Sequence, residues 1–165
     1  MLVQLHGYDK DKTMTIATFS AGCFWGVEEK FRQFHGVLST RVGYTAGHTN
    51  DPVYKTVCTG NTGHAEAIEI TFDPTLISYE DLLDIFWKIH NPTTLNSQGP
   101  DIGSQYRSGI FYHDHEQKQQ ALDKKQVLNQ SHFSAQLIVT EITPASHFYS
   151  AEAYHQCYLE KQKLY

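Results

Sequence analysis

Over residues 65–72 the side chains alternate so that Glu66, Ile68, Ile70 and Phe72 share one face, the period-2 pattern of a strand with one buried side. Residues 78–91 carry the clearest helical pattern. Ser78 and Asp81 form a capping-box-like start, Tyr79, Leu82, Leu83, Phe86 and Ile89 make one face, and Pro92 stops the run. Upstream, residues 14–20 read as a strand that passes through Ala21-Gly22 into a helix with Phe24, Val27, Phe31 and Phe34 on one side; Gly36 is expected to end it. A second strand is predicted over 37–44. A long loop follows to Gly63, broken by a short helical piece around 54–58. After another loop over 92–105 come a strand at 106–112, a polar helix at 115–130, a strand at 136–143 and a final helix at 150–163. On that last helix Ala151, Tyr154, His155 and Tyr158 are expected to share a face. The order β-α-β-β-α-β-α-β-α mixes hairpin-like and crossover connections, which predicts an α+β chain. The expected architecture is a two-layer α/β sandwich on a mixed sheet with a ferredoxin-like core.

The chain has 165 residues, 40% hydrophobic and 19% charged, enough for one domain with a real core. No repeat or low-complexity linker divides it, so residues 13–165 are expected to form a single domain behind a polar arm over 1–12. No apolar run reaches the roughly 18 residues of a membrane helix, so no membrane partner is expected. A net charge of -5 without a Lys/Arg block argues against a nucleic-acid partner. Three cysteines, Cys23, Cys58 and Cys157, cannot all pair within one chain, and no C-x-x-C spacing occurs. Free thiols and an N-terminus without a continuous apolar stretch point to the cytoplasm.

Candidate chemistry starts at Cys23, where a strand gives way to a helix. Unpaired N–H groups and the positive end of the helix dipole stabilise a thiolate there and are expected to lower the thiol pKa. A buried structural thiol is the competing account, weakened by Gly22 and Gly26, which let a substrate approach the sulfur. Glu66 lies on the apolar face of its strand, where poor hydration favours the neutral acid and raises its pKa. Pairing to a Lys or Arg at a fraying strand end is an equal alternative. Asp101 sits in a turn-rich stretch and suits an Asx turn. Tyr54 and Tyr106 carry phenols able to hydrogen-bond a substrate oxygen, although most tyrosines simply pack. His113-x-His115 lacks the spacing of a metal site, and no glycine-rich nucleotide motif is present, so neither metal nor cofactor is expected.

Read as a string, Gly22-Cys23-Phe24-Trp25-Gly26 resembles the signature of the A-type peptide methionine sulfoxide reductases. Further blocks follow in that family's order: Gly43-Tyr44-Thr45, the stretch around Tyr54 to Cys58, Thr62-Gly63-His64-Ala65-Glu66-Ala67, Asn91-Pro92, Gly99-Pro100-Asp101-Ile102-Gly103-Ser104-Gln105-Tyr106-Arg107-Ser108, and His155-Gln156-Cys157-Tyr158-Leu159. The resemblance implies thiol-dependent reduction of methionine-(S)-sulfoxide, free or in proteins, without metal or flavin, and with thioredoxin or a small thiol as reductant. It further implies that Cys23 attacks the sulfoxide sulfur, that Glu66 protonates the oxygen, and that Tyr54 and Tyr106 hydrogen-bond it. Phe24 and Trp25 would enclose the substrate methyl group, Asp101 would organise the polar side, and His155 and Tyr158 would line or support the pocket.

Many family members carry resolving cysteines in a glycine-rich C-terminal tail, and this sequence ends at Gln162-Lys163-Leu164-Tyr165 without one. Cys157, placed on a regular helix, would face about 200° away from His155 and so resolve Cys23 poorly unless that helix unwinds. Cys58 is expected to pack as a buried thiol. The expectation is a monomer that runs a single-cysteine cycle, an external thiol resolving Cys23. Two other classes remain open on residues alone: a cysteine acyl transferase or hydrolase pairing Cys23 with His155, and a noncatalytic aromatic pocket for methionine-like ligands.

Overall fold

The computed structural model describes residues 15–131 and 136–163. The arm expected over residues 1–12 and the residue opening the first strand, Met14, lie outside them. In chain order the elements are β1 (Thr15–Ala21), α1 (Phe24–Phe31), β2 (Val37–Thr45), α2 (Tyr54–Val57), β3 (Ala65–Phe72), α3 (Tyr79–Ile89), β4 (Ser97–Gln98), β5 (Asp101–Ile102), β6 (Ser108–Tyr112), α4 (His115–Gln130), β7 (Glu141–Pro144), β8 (Tyr149–Ser150) and α5 (Tyr158–Gln162). Six strands form one sheet in the order β7-β6-β1-β3-β2-β8. β6 and β7 run parallel and the other neighbours antiparallel, so the sheet is mixed. Taken alone, β1, β2, β3 and β6 stand in the order fourth-first-third-second around two crossovers through α1 and α3, the ferredoxin-like core the element order predicts.

The central strands are covered on both sides, with Thr18, Ser20, Ala65 and Ala67 buried on the face away from the large apolar side chains. Ala17, Phe19 and Ala21 of β1 and Ile68, Ile70 and Phe72 of β3 are sealed, and Phe19 stacks on Phe31 of α1 and on Tyr79 and Phe86 of α3. These aromatic pairs tie two helices to the central strand. The Ser78 hydroxyl accepts the Asp81 N–H while the Asp81 carboxylate accepts the Ser78 N–H, so the predicted capping box starts α3. His90, just past α3, is held between the Phe86 carbonyl and the Ser108 hydroxyl, each at 2.7 Å.

Four local expectations change. α1 stops at Phe31 rather than at Gly36; Phe34 lies beyond it and is 43% exposed, while Gly36 with φ +99° turns the chain toward β2. The strand expected over 136–143 begins only at Glu141, because residues 137–140 cross irregularly and Val139 donates to the Pro92 carbonyl. The loop expected over 92–105 contains the β4–β5 hairpin and a 3-10 turn at Ser104–Tyr106. The final helix expected over 150–163 is replaced by β8, a 3-10 turn at Ala153–His155 and the short α5, with Cys157 in the left-handed region at φ +50° between them.

Candidate active site

β1 ends at Ala21, and Gly22, at φ +95°, turns the chain into α1 with Cys23 at its N-cap. A Cβ on Gly22 would sit 2.8 Å from the Gln98 side chain, so the turn needs glycine for its dihedral and for its space. Gln98 in turn clamps the Asn91 backbone, donating to its carbonyl at 2.8 Å and accepting its N–H at 2.9 Å. This fixes the β4–β5 hairpin, and with it Asp101, beside the thiol. Cys23 and Asp101 line one cavity of about 270 Å³.

The helix terminus does not make Cys23 acidic. Burial raises its pKa above the ordinary thiol value, the N–H groups of Trp25 and Gly26 oppose that rise, and negative charge on Glu66 and Asp101 adds to it. The expected depression is thus corrected: desolvation and two neighbouring carboxyls outweigh the helix N-terminus.

Glu66 is 2% exposed, on β3, and its Oε1 accepts the N–H of Phe24, the residue after the cysteine, at 3.3 Å. Burial pushes its pKa up to about 7, against the lowering effect of that hydrogen bond and with a further rise from Asp101. Among the described residues no Lys or Arg forms a salt bridge to it, so the apolar-face account fits and the frayed-pair account does not. Its acid form is therefore available near neutral pH.

Two tyrosines are brought to the same place. Tyr106 closes the 3-10 turn that Arg107 holds by donating to the Ser104 carbonyl at 2.9 Å and the Ala46 carbonyl at 3.4 Å. Burial, with Glu66, Cys58, Asp101 and Cys23 nearby, pushes the Tyr106 phenol up to about 12. Tyr54 opens α2; a hydrogen bond with the Cys58 thiol, then burial and nearby Glu66, raise its phenol too. Both stay protonated donors. Cys58 itself is exposed, which corrects its expected burial.

The aromatic wall comes from α1 and the C-terminal segment. Trp25 stacks on Tyr158 with ring centroids 3.9 Å apart and 13° between planes, and its Nε1–H donates to Nδ1 of His155 at 2.9 Å. His155, 1% exposed, also meets the rings of Phe24 at 5.2 Å and Tyr54 at 4.6 Å. Because its Nδ1 accepts, the neutral ring carries its proton on Nε2. Burial lowers its pKa, with Glu152 acting the other way, so it is spent on holding Trp25 and does not serve Cys23 as a base. The expected stripe of Ala151, Tyr154, His155 and Tyr158 dissolves, since Ala151 and His155 are buried and Tyr154 is 57% exposed.

Sequence reasoning missed three organisers. Glu152 Oε1 accepts from the Tyr44 hydroxyl at 3.1 Å and the Tyr54 N–H at 3.3 Å; Oε2 accepts from the Tyr154 hydroxyl at 3.1 Å and lies 3.8 Å from His155 Nε2. Glu28, buried among the apolar side chains of α1, accepts the Thr40 hydroxyl and the Cys157 N–H. His64 holds the long loop, accepting the Gly47 N–H at 3.0 Å and bonding the Thr49 carbonyl at 2.7 Å. The one signal available was Glu28, a carboxylate where the helical repeat calls for an apolar residue.

The family described as peptide methionine sulfoxide reductase matches residues 15–165. A peptide methionine sulfoxide reductase MsrA of Methanothermobacter thermautotrophicus is 61% identical over 145 residues, 88% of this chain and 86% of that one. Among solved structures, reduced Mxr1 from Saccharomyces cerevisiae superposes with a TM-score of 0.86 at 38% identity, covering 97% of this chain and 91% of that one. A structure of Mxr1 in complex with Trx2 matches at 26% identity and a TM-score of 0.63, over 94% and 91% of the two chains. With a buried carboxylic acid and two phenols gathered near a thiol, the chain belongs to the A-type peptide methionine sulfoxide reductases, which return methionine-(S)-sulfoxide to methionine by thiol chemistry.

Proposed function

We propose that Cys23 is the nucleophile and Glu66 the acid of this reduction, with Tyr54 and Tyr106 binding the sulfoxide oxygen. The observation that carries the assignment is Glu66: a carboxyl at the N–H of the residue next to the cysteine, with a pKa pushed to about 7. A sulfoxide is a poor electrophile until its oxygen gains a proton, so the nucleophile needs an acid, not a base, beside it. A Cys-His hydrolase would need the opposite, and His155 is committed to Trp25. Cys23 Sγ attacks the sulfoxide sulfur, the Glu66 proton passes to the oxygen, and the S–O bond breaks with transfer of that oxygen to the cysteine. Methionine leaves and Cys23 becomes a sulfenic acid. Phe24 and Trp25 enclose the methyl end, His155 and Tyr158 support them, and Asp101 bounds the polar side.

Regeneration needs two thiols. The first condenses with the sulfenic acid to a disulfide and water, and the second releases the Cys23 thiol by exchange. The final helix does unwind at Cys157, which removes the geometric objection first raised against it. Its amide is nevertheless clamped to Glu28, five residues and about 7.5 Å along α1 from Cys23. We therefore keep an external thiol as the resolver, and thioredoxin as its source, a choice supported by the yeast Mxr1 structure with Trx2.

One turnover without reductant, followed by dimedone trapping and mass spectrometry, tests the scheme. The expected product is one equivalent of methionine with dimedone on Cys23 and two free thiols. A disulfide from Cys23 to Cys58 or Cys157 overturns the single-cysteine cycle, and methionine formed by Cys23→Ser overturns the assignment of the nucleophile.

A further inference from the structure

The hollow at Cys23 does not end at the catalytic groups. Its lining runs over Gly26, Val27, Lys30 and Ile89, and a second hollow of about 360 Å³ is lined by Lys30, Gln33, Phe34 and Ile89. Lys30 and Ile89 border both, so the two form one trough along the outer face of α1. Gly26 and Lys30 follow Cys23 at three and seven residues, the helical repeat that keeps them on one side. Above Gly26 the trough is open, since a Cβ there would meet no atom within 4 Å. At its far end Phe34 is 43% exposed, beside half-buried Ile89. Lys30 Nζ spans the trough with a long 3.4 Å bond to the Ile89 carbonyl, one that another oxygen can replace.

We propose that this trough binds the polypeptide flanking an oxidised methionine, one apolar side chain resting on Phe34 and Ile89 and a main-chain carbonyl accepting from Lys30. The occupant follows from continuity: a chain whose sulfoxide is at Cys23 has an open, partly apolar channel leading away from it. Seven helical residues separate Cys23 from Lys30, about 10 Å, which three residues of extended chain cover. The subsite thus reads a residue about three positions from the methionine. The inference rests on Cys23 being the nucleophile.

The test compares kcat/KM for N-acetyl-methionine-(S)-sulfoxide N-methylamide with blocked heptapeptides carrying Leu or Asp three positions before or after the sulfoxide. In one of the two directions the Leu peptide should exceed the Asp peptide about tenfold. Phe34→Ser should erase that preference, and Lys30→Gln should lower both peptides about threefold, while neither variant changes the small amide. Equal rates for Leu and Asp in both directions, or an equal effect of Phe34→Ser on the small amide and the peptides, overturn the trough. Failure of the wild-type enzyme to reduce the small amide would instead strike the catalytic assignment, so the two outcomes are distinct.

Discussion

Cys23 and Glu66 hold their protons more tightly than ordinary members of their kinds, and the two shifts bear on each other. Burial is the leading cause for both, and a charged Glu66 further disfavours the thiolate. On the proposed mechanism the reactive form of the free enzyme, neutral Glu66 with a Cys23 thiolate, has the same proton count as its tautomer with Glu66 ionised and the thiol intact, so the pair titrates as a unit. kcat/KM should therefore rise through about pH 7, level off, and fall again as pH passes the raised thiol value. Glu66→Gln keeps the shape and hydrogen bonding of the side chain but has no proton to give. It should lose 10²- to 10⁴-fold in kcat/KM, the usual contribution of a positioned acid, and the limb near pH 7 should vanish. A surviving limb near pH 7 in that variant would assign the ionisation elsewhere.

The segment over residues 149–163 shows how tertiary contacts override a helical pattern. Ala151, Tyr154, His155 and Tyr158 have helical spacing, yet Glu152 is drawn to Tyr44 and Tyr54, and the Gln156 side chain bonds both the N–H and the carbonyl of Val42 at 2.9 Å. These anchors hold the chain against the edge of β2 and leave Cys157 left-handed, at a cost of about 1 kcal/mol. Such partners are remote in sequence, so periodicity could not reveal them. By contrast, the bounds of β3 and the start of α3 were legible, because strict alternation and the Ser78–Asp81 capping box are local signals; the polar helix expected over 115–130 is α4, which the Asp114 carboxylate caps by accepting the Gln117 N–H. Of the proposed site, the placement of Cys23 at the strand-to-helix junction and of Glu66 on a buried face was legible. The aromatic roles came only from the motif resemblance, and Glu152 from neither. Glu152→Ala removes the shared acceptor, so it should lower kcat/KM about tenfold as Tyr54 and His155 lose their fixed positions, and destabilise by about 2 kcal/mol. Glu152→Gln keeps an oxygen for Tyr44 and Tyr54 but not for Tyr154, and steady-state kinetics should place it between the two. Wild-type kinetics in Glu152→Ala would show that this anchor has no bearing on the pocket.

The whole fold carries two buried titratable groups whose effects on stability oppose each other. His90 is pushed down to about 4 by burial, with the Phe86 carbonyl acting upward and Lys30 downward. Between pH 4 and 6.5 the unfolded chain binds the proton that folded His90 refuses, so this group's contribution to stability rises with pH. Glu66 does the reverse. Its folded pKa of about 7 lies above the ordinary 4.5, so from pH 4.5 to 7 the folded chain holds a proton that the unfolded chain has released, and stability falls with pH. Each shift of about 2.5 units corresponds to about 3 kcal/mol, so across the overlap of the two windows these two groups largely offset each other, while His155, also lowered by burial, adds to the His90 side. Glu66→Gln removes one side of the balance. Urea unfolding of both proteins at pH 4, 5.5, 7 and 8.5 should show the variant gaining on wild type by up to about 3 kcal/mol between the first and last, with most of the gain complete by pH 7. Because His90 contributes equally to both proteins, the difference isolates Glu66. A difference that stays constant with pH would mean that the carboxyl ionises in the folded enzyme as it does in the unfolded chain, leaving no acid for the sulfoxide at neutral pH.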